Sequence, residues 1–221
     1  MPLSTQFDER YFASCYGDYF RQNPRRKLRF YRDLLERHLP PSPAPRVLDL
    51  GCAFGLFLAE LPREFRKFGV DASHHAIAAA AARVPDAHCI NADCASPPIA
   101  SQFEAIVAFD VLEHIPSVDA TLEFIRRSLA PHGVFLFVVP VYDGPLGPIV
   151  RWLDRDPTHV HKRSRGWWLK QASRGFEVIS WTGILRYLIA RRCYLHMPSR
   201  AIRRVAPAIA VVARPRPIVH D

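Results

Sequence analysis

The sequence predicts an α/β fold: a seven-stranded, mostly parallel sheet with helices on both faces and a helical N-terminal extension. Three observations carry this. Short apolar runs such as Ala105-Ile106-Val107-Ala108-Phe109 have the composition of strands covered on both faces. They alternate with segments whose apolar residues recur at helical spacing, which implies parallel pairing through right-handed crossovers. A length of 221 residues suits one such domain.

Residues 8–39 read as the helical extension, with Leu28, Tyr31, Leu35 and Leu39 near one stripe. The run Pro40-Pro41-Ser42-Pro43-Ala44-Pro45 ends it, because proline lacks an amide hydrogen and disfavours a helical residue before it. Residues 1–45 then form an extension or lid, and 46–221 the main domain. Val47-Leu48-Asp49-Leu50 is the first strand, followed by a helix over 56–61. Phe68-Gly69-Val70 ends the second strand, and Ser73 caps the alanine-rich helix 76–83. His88-Cys89-Ile90 is the third strand and 105–109 the fourth. Val118, Leu122, Ile125 and Leu129 mark a helix, after which Pro131-His132-Gly133 turns the chain into a fifth strand over 134–139. A helix over 164–174 and strands over 176–179 and 208–213 complete the set, the last two as an antiparallel edge. The apolar series Leu185, Tyr187, Leu188, Ile189, Cys193, Tyr194 and Leu195 reads as a helix packed on the sheet or as a lid.

Composition narrows the class. At 49% apolar and 23% charged, the chain has the make-up of a folded globular protein. No apolar run approaches the ~20 residues of a membrane span, and residues 1–9 lack the basic-then-apolar order of a secretory signal. Five cysteines (Cys15, Cys52, Cys89, Cys94, Cys193) form no C-x-x-C pair, so free thiols in a cytoplasmic setting are expected. The formal charge of +9 is concentrated in residues 21–32 and 162–216, where the later stretch holds Glu177 as its one acid. Such asymmetry attracts phosphate, nucleic acid, anionic lipid or acidic polysaccharide. Charge alone names no partner.

The strongest chemical signal is Asp49-Leu50-Gly51-Cys52-Ala53-Phe54-Gly55, a carboxylate in a strand followed by small residues at the strand-to-helix turn. A nicotinamide dinucleotide fingerprint, G-x-G-x-x-G, would require glycine where Ala53 and Leu56 stand, so that reading fails. The heptapeptide resembles the first motif of class I S-adenosylmethionine (SAM)-dependent methyltransferases, D-x-G-x-G-x-G, with Ala53 at the middle position. Asp71, ending the second strand, and Asp93, after the third, fall where that family's acids meet the ribose hydroxyls and the adenine amino group. Phe109-Asp110-Val111-Leu112-Glu113-His114-Ile115-Pro116 resembles the motif after strand four in the small-molecule branch. The resemblance covers residues 45–140, more loosely to 182. It implies a Rossmann-like domain that binds SAM through Asp49, Gly51, Cys52, Ala53, Gly55, Asp71, Ala72, Asp93, Cys94, Phe109 and Asp110.

Methyl transfer from a sulfonium requires chiefly alignment of donor and acceptor; a hydroxyl acceptor also needs a route for its proton. His114 is one candidate base, and His159 and His161 in Asp154-Arg155-Asp156-Pro157-Thr158-His159-Val160-His161 are two more. Trp152, Trp167 and Trp168 are candidate pocket walls. Asp110, Glu113 and His114 resemble an incomplete copy of an E-x-x-E-H metal pattern, so no metal is expected. Neither an N/D-P-P-Y/F motif nor a Pro-Cys nucleophile is present, which argues against base-modifying nucleic-acid enzymes. The expected function is methyl transfer to a small-molecule or glycan acceptor, at oxygen, without specific nucleic-acid binding. Peripheral contact with an anionic membrane, an RNA sugar 2'-hydroxyl acceptor and a catalytically silent binding module stay open as alternatives. Oligomeric state has no signal.

Overall fold

The structure, a computed structural model, describes residues 17–154, 156–189 and 193–216. Residues 1–16 of the expected extension, with Cys15 among them, lie outside these residues. Two helices precede the sheet, α1 (Tyr19–Gln22) and α2 (Arg25–Glu36). The chain then alternates through β1 (Arg46–Leu50), α3 (Leu56–Glu60), β2 (Arg66–Asp71), α4 (His74–Arg83), β3 (Ala87–Asn91) and β4 (Phe103–Phe109). A short 3-10 turn (Leu112–His114), α5 (Val118–Ser128) and β5 (Leu129–Pro140) follow, then α6 (Gly147–Leu153) and α7 (Arg165–Ser173). The chain closes with β6 (Phe176–Ile189), β7 (Cys193–Ser199) and β8 (Ala208–Pro215). As expected, Ser73 caps α4 by accepting a hydrogen bond from Ala76 N; Ser164, read as the first residue of a helix, is instead the cap of α7 and accepts from Trp167 N.

Among the described residues the sheet has eight strands in the order β3-β2-β1-β4-β5-β8-β6-β7. The first five are parallel; β8 runs antiparallel to both β5 and β6, and β7 antiparallel to β6. The additional strand corrects the helical reading of this apolar series, since residues 185–189 belong to β6 and 193–195 to β7, paired as a hairpin. Aromatic and β-branched residues (Trp181, Thr182, Ile184, Tyr187, Tyr194) favour extended chain there. The expected turn at 131–133 is absorbed into β5 as an irregularity, with His132 at φ +64.

Strand alternation divides the core in two. Leu48, Leu50, Ile106, Phe135 and Phe137 face Leu122 and Ile125 of α5 and Trp168 of α7. On the other face, Val47, Val107, Leu136 and Val138 share a core with Leu28, Tyr31 and Leu35 of α2, Phe57 of α3 and Ile77 of α4. Helix α2 therefore packs against the sheet as well as bordering the site. No helix among the described residues is long and apolar enough to cross a membrane.

Candidate functional site

Strand order reverses at β1, which lies between β2 and β4, so the crossovers on its two sides depart to opposite faces. In open parallel sheets a crevice forms there, beyond the carboxyl ends of the strands. A cavity of about 450 Å³ occupies this position, lined by residues that end or follow β1, β2, β3, β4 and β5. Helices α1 and α2 contribute Tyr19, Lys27 and Tyr31, and the β6–β7 hairpin contributes Arg186, Tyr187 and Tyr194. The size falls within the roughly 300–1,000 Å³ of small-molecule sites.

The inner half is built on the loop after β1. Gly51 N and Cys52 N both donate to Val70 O of β2, at 2.7 and 3.0 Å. Gly51, Ala53 and Gly55 all have positive φ (+72, +44 and +68), and Gly55 starts α3. Asp71 holds this loop: its carboxylate accepts from Ala53 N and from Ser73 N, each at 2.9 Å. Burial pushes the Asp71 carboxyl up, while those two amides oppose the shift. Burial also raises Asp49 well above the usual carboxylate range, with Asp71 adding to it. Among the described residues no basic side chain forms an ion pair with Asp49, Asp71 or Asp93. Acids so placed suit hydroxyl donors and cationic groups of a ligand.

Of the expected ligand-binding residues, Asp49, Gly51, Cys52, Ala53, Asp71, Ala72, Asp93, Cys94, Phe109 and Asp110 line the cavity. Gly55 does not; its place is the left-handed start of α3, packed against Ala80. Asp110 has φ +57 and is engaged by Arg186, whose Nη1 donates to its carboxylate at 2.5 and 2.7 Å. Lys27 Nζ lies 3.7 Å from the same carboxylate. Burial works against the charge of Asp110, but Arg186 and Lys27 outweigh it and hold the carboxyl low.

The outer half gathers Glu113, His114, Tyr142, Asp154 and His159. Glu113 is 1% exposed, and neither of its carboxylate oxygens has a hydrogen-bond partner among the described residues. Burial, then the nearby Asp110, pushes it well above the usual range. His159 Nδ1 meets the Asp154 carboxylate at 2.9 Å, and Tyr142 donates to the same group at 2.6 Å. Burial opposes ionisation of Asp154, yet donors from Tyr142, His159 and Lys162 bring it down to about 2. His114 Nδ1 lies 2.8 Å from Thr158 Oγ1, which in turn donates to Asp156 at 2.6 Å. Burial, with His159 beside it, lowers His114 to about 4. The two imidazoles are 4.6 Å apart between centroids.

The third histidine is not brought to this cluster. His161 Nε2 is 3.0 Å from Ile115 O, and its ring stacks on Trp167 outside the cavity. His159 and His161 would share a face in a regular strand, but residues 159–161 form none, and His161 N donates instead to Glu113 O at 3.1 Å. No tryptophan lines the cavity either: Trp168 is core at 1% exposed and Trp152 is 75% exposed. Sequence reasoning missed Tyr19, Lys27, Tyr31, Tyr142, Asp154 and Arg186. One signal was present for Arg186, a charge set between Leu185 and Tyr187 of the apolar series.

Residues 19–184 match the family model described as a methyltransferase domain. No curated protein matches the chain in sequence at a significant level. Among solved structures, the chain resembles the YcgJ protein of Bacillus subtilis at 18% identity and TM-score 0.65, covering 86% of this chain and 99% of that one. A Haloferax volcanii protein solved in complex with the methyltransferase activator Trm112 gives 18% identity and TM-score 0.66, with 85% and 94% covered. The N-methyltransferase NodS of Bradyrhizobium japonicum, in complex with S-adenosylhomocysteine, gives 17% and 0.62, with 86% and 88% covered.

Proposed function

The chain belongs to the methyltransferase-domain family, and from that premise we propose that it methylates a hydroxyl oxygen of a small-molecule or glycan acceptor, with SAM as donor. The observation that supports this reading is the continuity of the cavity. One space joins the small-residue loop and its acids, which have no ion-pair partner among the described residues, to the buried Glu113 and the half-buried His114 and His159. When bound, SAM supplies an electrophilic methyl group on a cationic sulfur.

The residues divide the work by position. Gly51, Cys52 and Ala53 offer backbone to the donor, and Asp49 and Asp71 balance positive charge and accept hydroxyl hydrogens. Each Asp71 oxygen already accepts one backbone amide, and a carboxylate oxygen retains capacity for a further hydrogen bond to a ribose hydroxyl. Asp93, which is exposed and caps Ala95 N, is assigned to the adenine amino group. Phe109-Asp110-Val111-Leu112-Glu113-His114 places the acceptor beside Glu113 and His114, as in the small-molecule branch that this stretch resembles. Removal of the acceptor's proton is assigned to the cluster of Glu113, His114 and His159. Tyr31, Tyr142 and Tyr194 leave that half largely aromatic, in keeping with an acceptor smaller than a polymer.

Calorimetry with S-adenosylhomocysteine tests the donor half. The wild-type chain is expected to bind it one to one. Asp71→Ala should weaken binding by roughly ten- to a hundredfold, the loss of charge-assisted hydrogen bonds worth about 1.5–3 kcal/mol. Equal affinity in a folded Asp71→Ala protein would remove the ribose assignment, and no binding by wild type would remove the donor itself.

A further inference from the structure

Glu113, His114 and His159 each offer one potential ligand atom, and those three atoms lie within 4.8 Å of one another. We propose that this trio, on the acceptor side of the cavity, is a binding site for a divalent transition-metal ion. The inference rests on the reading of the outer half as the acceptor side.

Glu113 supplies the first argument. A carboxyl group at 1% exposure, with both oxygens unpartnered among the described residues, is costly to bury. A cation would repay that cost directly, since no basic side chain forms an ion pair with Glu113 among the described residues. Arg186 and Lys27 are committed to Asp110 instead.

Hydrogen-bond accounting supplies the second. Asp154 accepts from His159 Nδ1, so the proton of that ring sits on Nδ1 and Nε2 is the basic nitrogen. Thr158 gives its own hydroxyl hydrogen to Asp156, so its oxygen accepts from His114 Nδ1, which fixes the same tautomer in that ring. Both imidazoles are thus held by a carboxylate, directly or through one hydroxyl. This is the outer-shell arrangement that orients metal-binding histidines and raises their basicity.

Distance is the third. Two ligand atoms at ~2.1 Å from a shared ion are at most ~4.2 Å apart. The trio needs only a sub-ångström closure from 4.8 Å to reach that geometry. Two imidazoles and one carboxylate favour zinc, iron(II), cobalt(II) or manganese over magnesium, which prefers oxygen and keeps its water. Three protein ligands also leave a coordination position open, where an acceptor hydroxyl bound to the ion would give up its proton more readily than in water, to the Glu113 oxygen not engaged by the ion. Asp110 is outside the set, because its carboxylate is already paired with Arg186 and Lys27.

The test is titration of the full, chelator-treated chain with Co²⁺ and Zn²⁺, followed by visible absorption for cobalt and by metal analysis after gel filtration for zinc. One equivalent of either ion is expected, with cobalt absorption reporting nitrogen and oxygen ligands in a site of low coordination number. His159→Ala and Glu113→Gln should each weaken binding by at least tenfold, whereas Asp110→Asn should retain it. Thermal unfolding of each variant shows that loss of metal is not loss of fold. Absence of stoichiometric binding in wild type, unchanged binding in both His159→Ala and Glu113→Gln, or binding of Mg²⁺ in preference to both test ions would each overturn the proposal. S-adenosylhomocysteine binding is measured on the same preparation. If it persists without metal binding, the metal site alone is refuted; if it too is absent, the donor assignment has failed.

Discussion

Gly51 answers to the protein before it answers to any ligand. It sits at φ +72, and an added Cβ would fall 2.2 Å from Val111 Cγ2. The motif made this glycine legible in the sequence, and the crowding that requires it comes from the segment after β4. Asp49 makes the complementary case. It is 3% exposed, and its carboxyl is raised by burial and by Asp71. A folded carboxyl that holds its proton to higher pH than in the unfolded chain favours folding at low pH, and that contribution is lost as pH rises through the folded value. Asp49→Asn removes the titration. The variant should therefore gain stability over wild type progressively as pH rises above the unfolded carboxyl's value of about 4, each kcal/mol reading as roughly 2–4 °C in Tm for a domain of this size. Thermal melts from that pH upward check it, and a constant difference would show that Asp49 does not carry the cost. The acids at strand ends were readable because the motif marks them. Asp154 was not, since only the folded loop brings it to His159.

Among the elements, the parallel half was readable from apolar runs and helix caps, while the β6–β7 hairpin was not. Its apolar residues run together as they would in a buried helix, and what makes them strands is the pairing of β6 with β7, while β8 joins only residues 176–184 of β6. The hairpin reaches the site through Arg186, which crosses to Asp110 after β4. Removing one partner of a buried ion pair costs ~3–5 kcal/mol. Lys27 remains near Asp110, so Arg186→Met should cost less, about 2 kcal/mol. Adding Asp110→Asn should recover most of that loss, giving a coupling of ~1 kcal/mol or more in a double-mutant cycle measured by denaturant unfolding. Additive effects would mean that the hairpin is held by its strand pairing alone.

For the molecule as a whole, the formal charge of +9 is partly spent internally. In the basic C-terminal stretch Arg165 pairs with Asp143, Arg174 with Asp119 and Arg186 with Asp110. Arg214 and Arg216 donate to the carbonyls of His38 and Phe176. The sequence showed the charges but not these partners, which are mostly remote along the chain. Nucleic-acid binding is accordingly predicted to be weak, indifferent to sequence and steeply weakened by salt. Titration with labelled RNA and DNA at several salt concentrations checks this, and tight binding of one RNA at physiological salt would favour a sugar hydroxyl as acceptor.

Strand β8 lies between β5 and β6 although it follows both in the chain. During synthesis, β6 and β7 emerge with no place in the sheet until residues 208–215 have left the ribosome. The nascent chain thus carries the open edge of β5 to a late stage, and a truncation before residue 208 would split the sheet rather than shorten it. Because Arg186, Tyr187 and Tyr194 ride on that hairpin, the cavity acquires its roof only with the final strand. An incomplete translation product would expose both an unpaired strand edge and an unfinished pocket, and chaperones or proteases would meet it first.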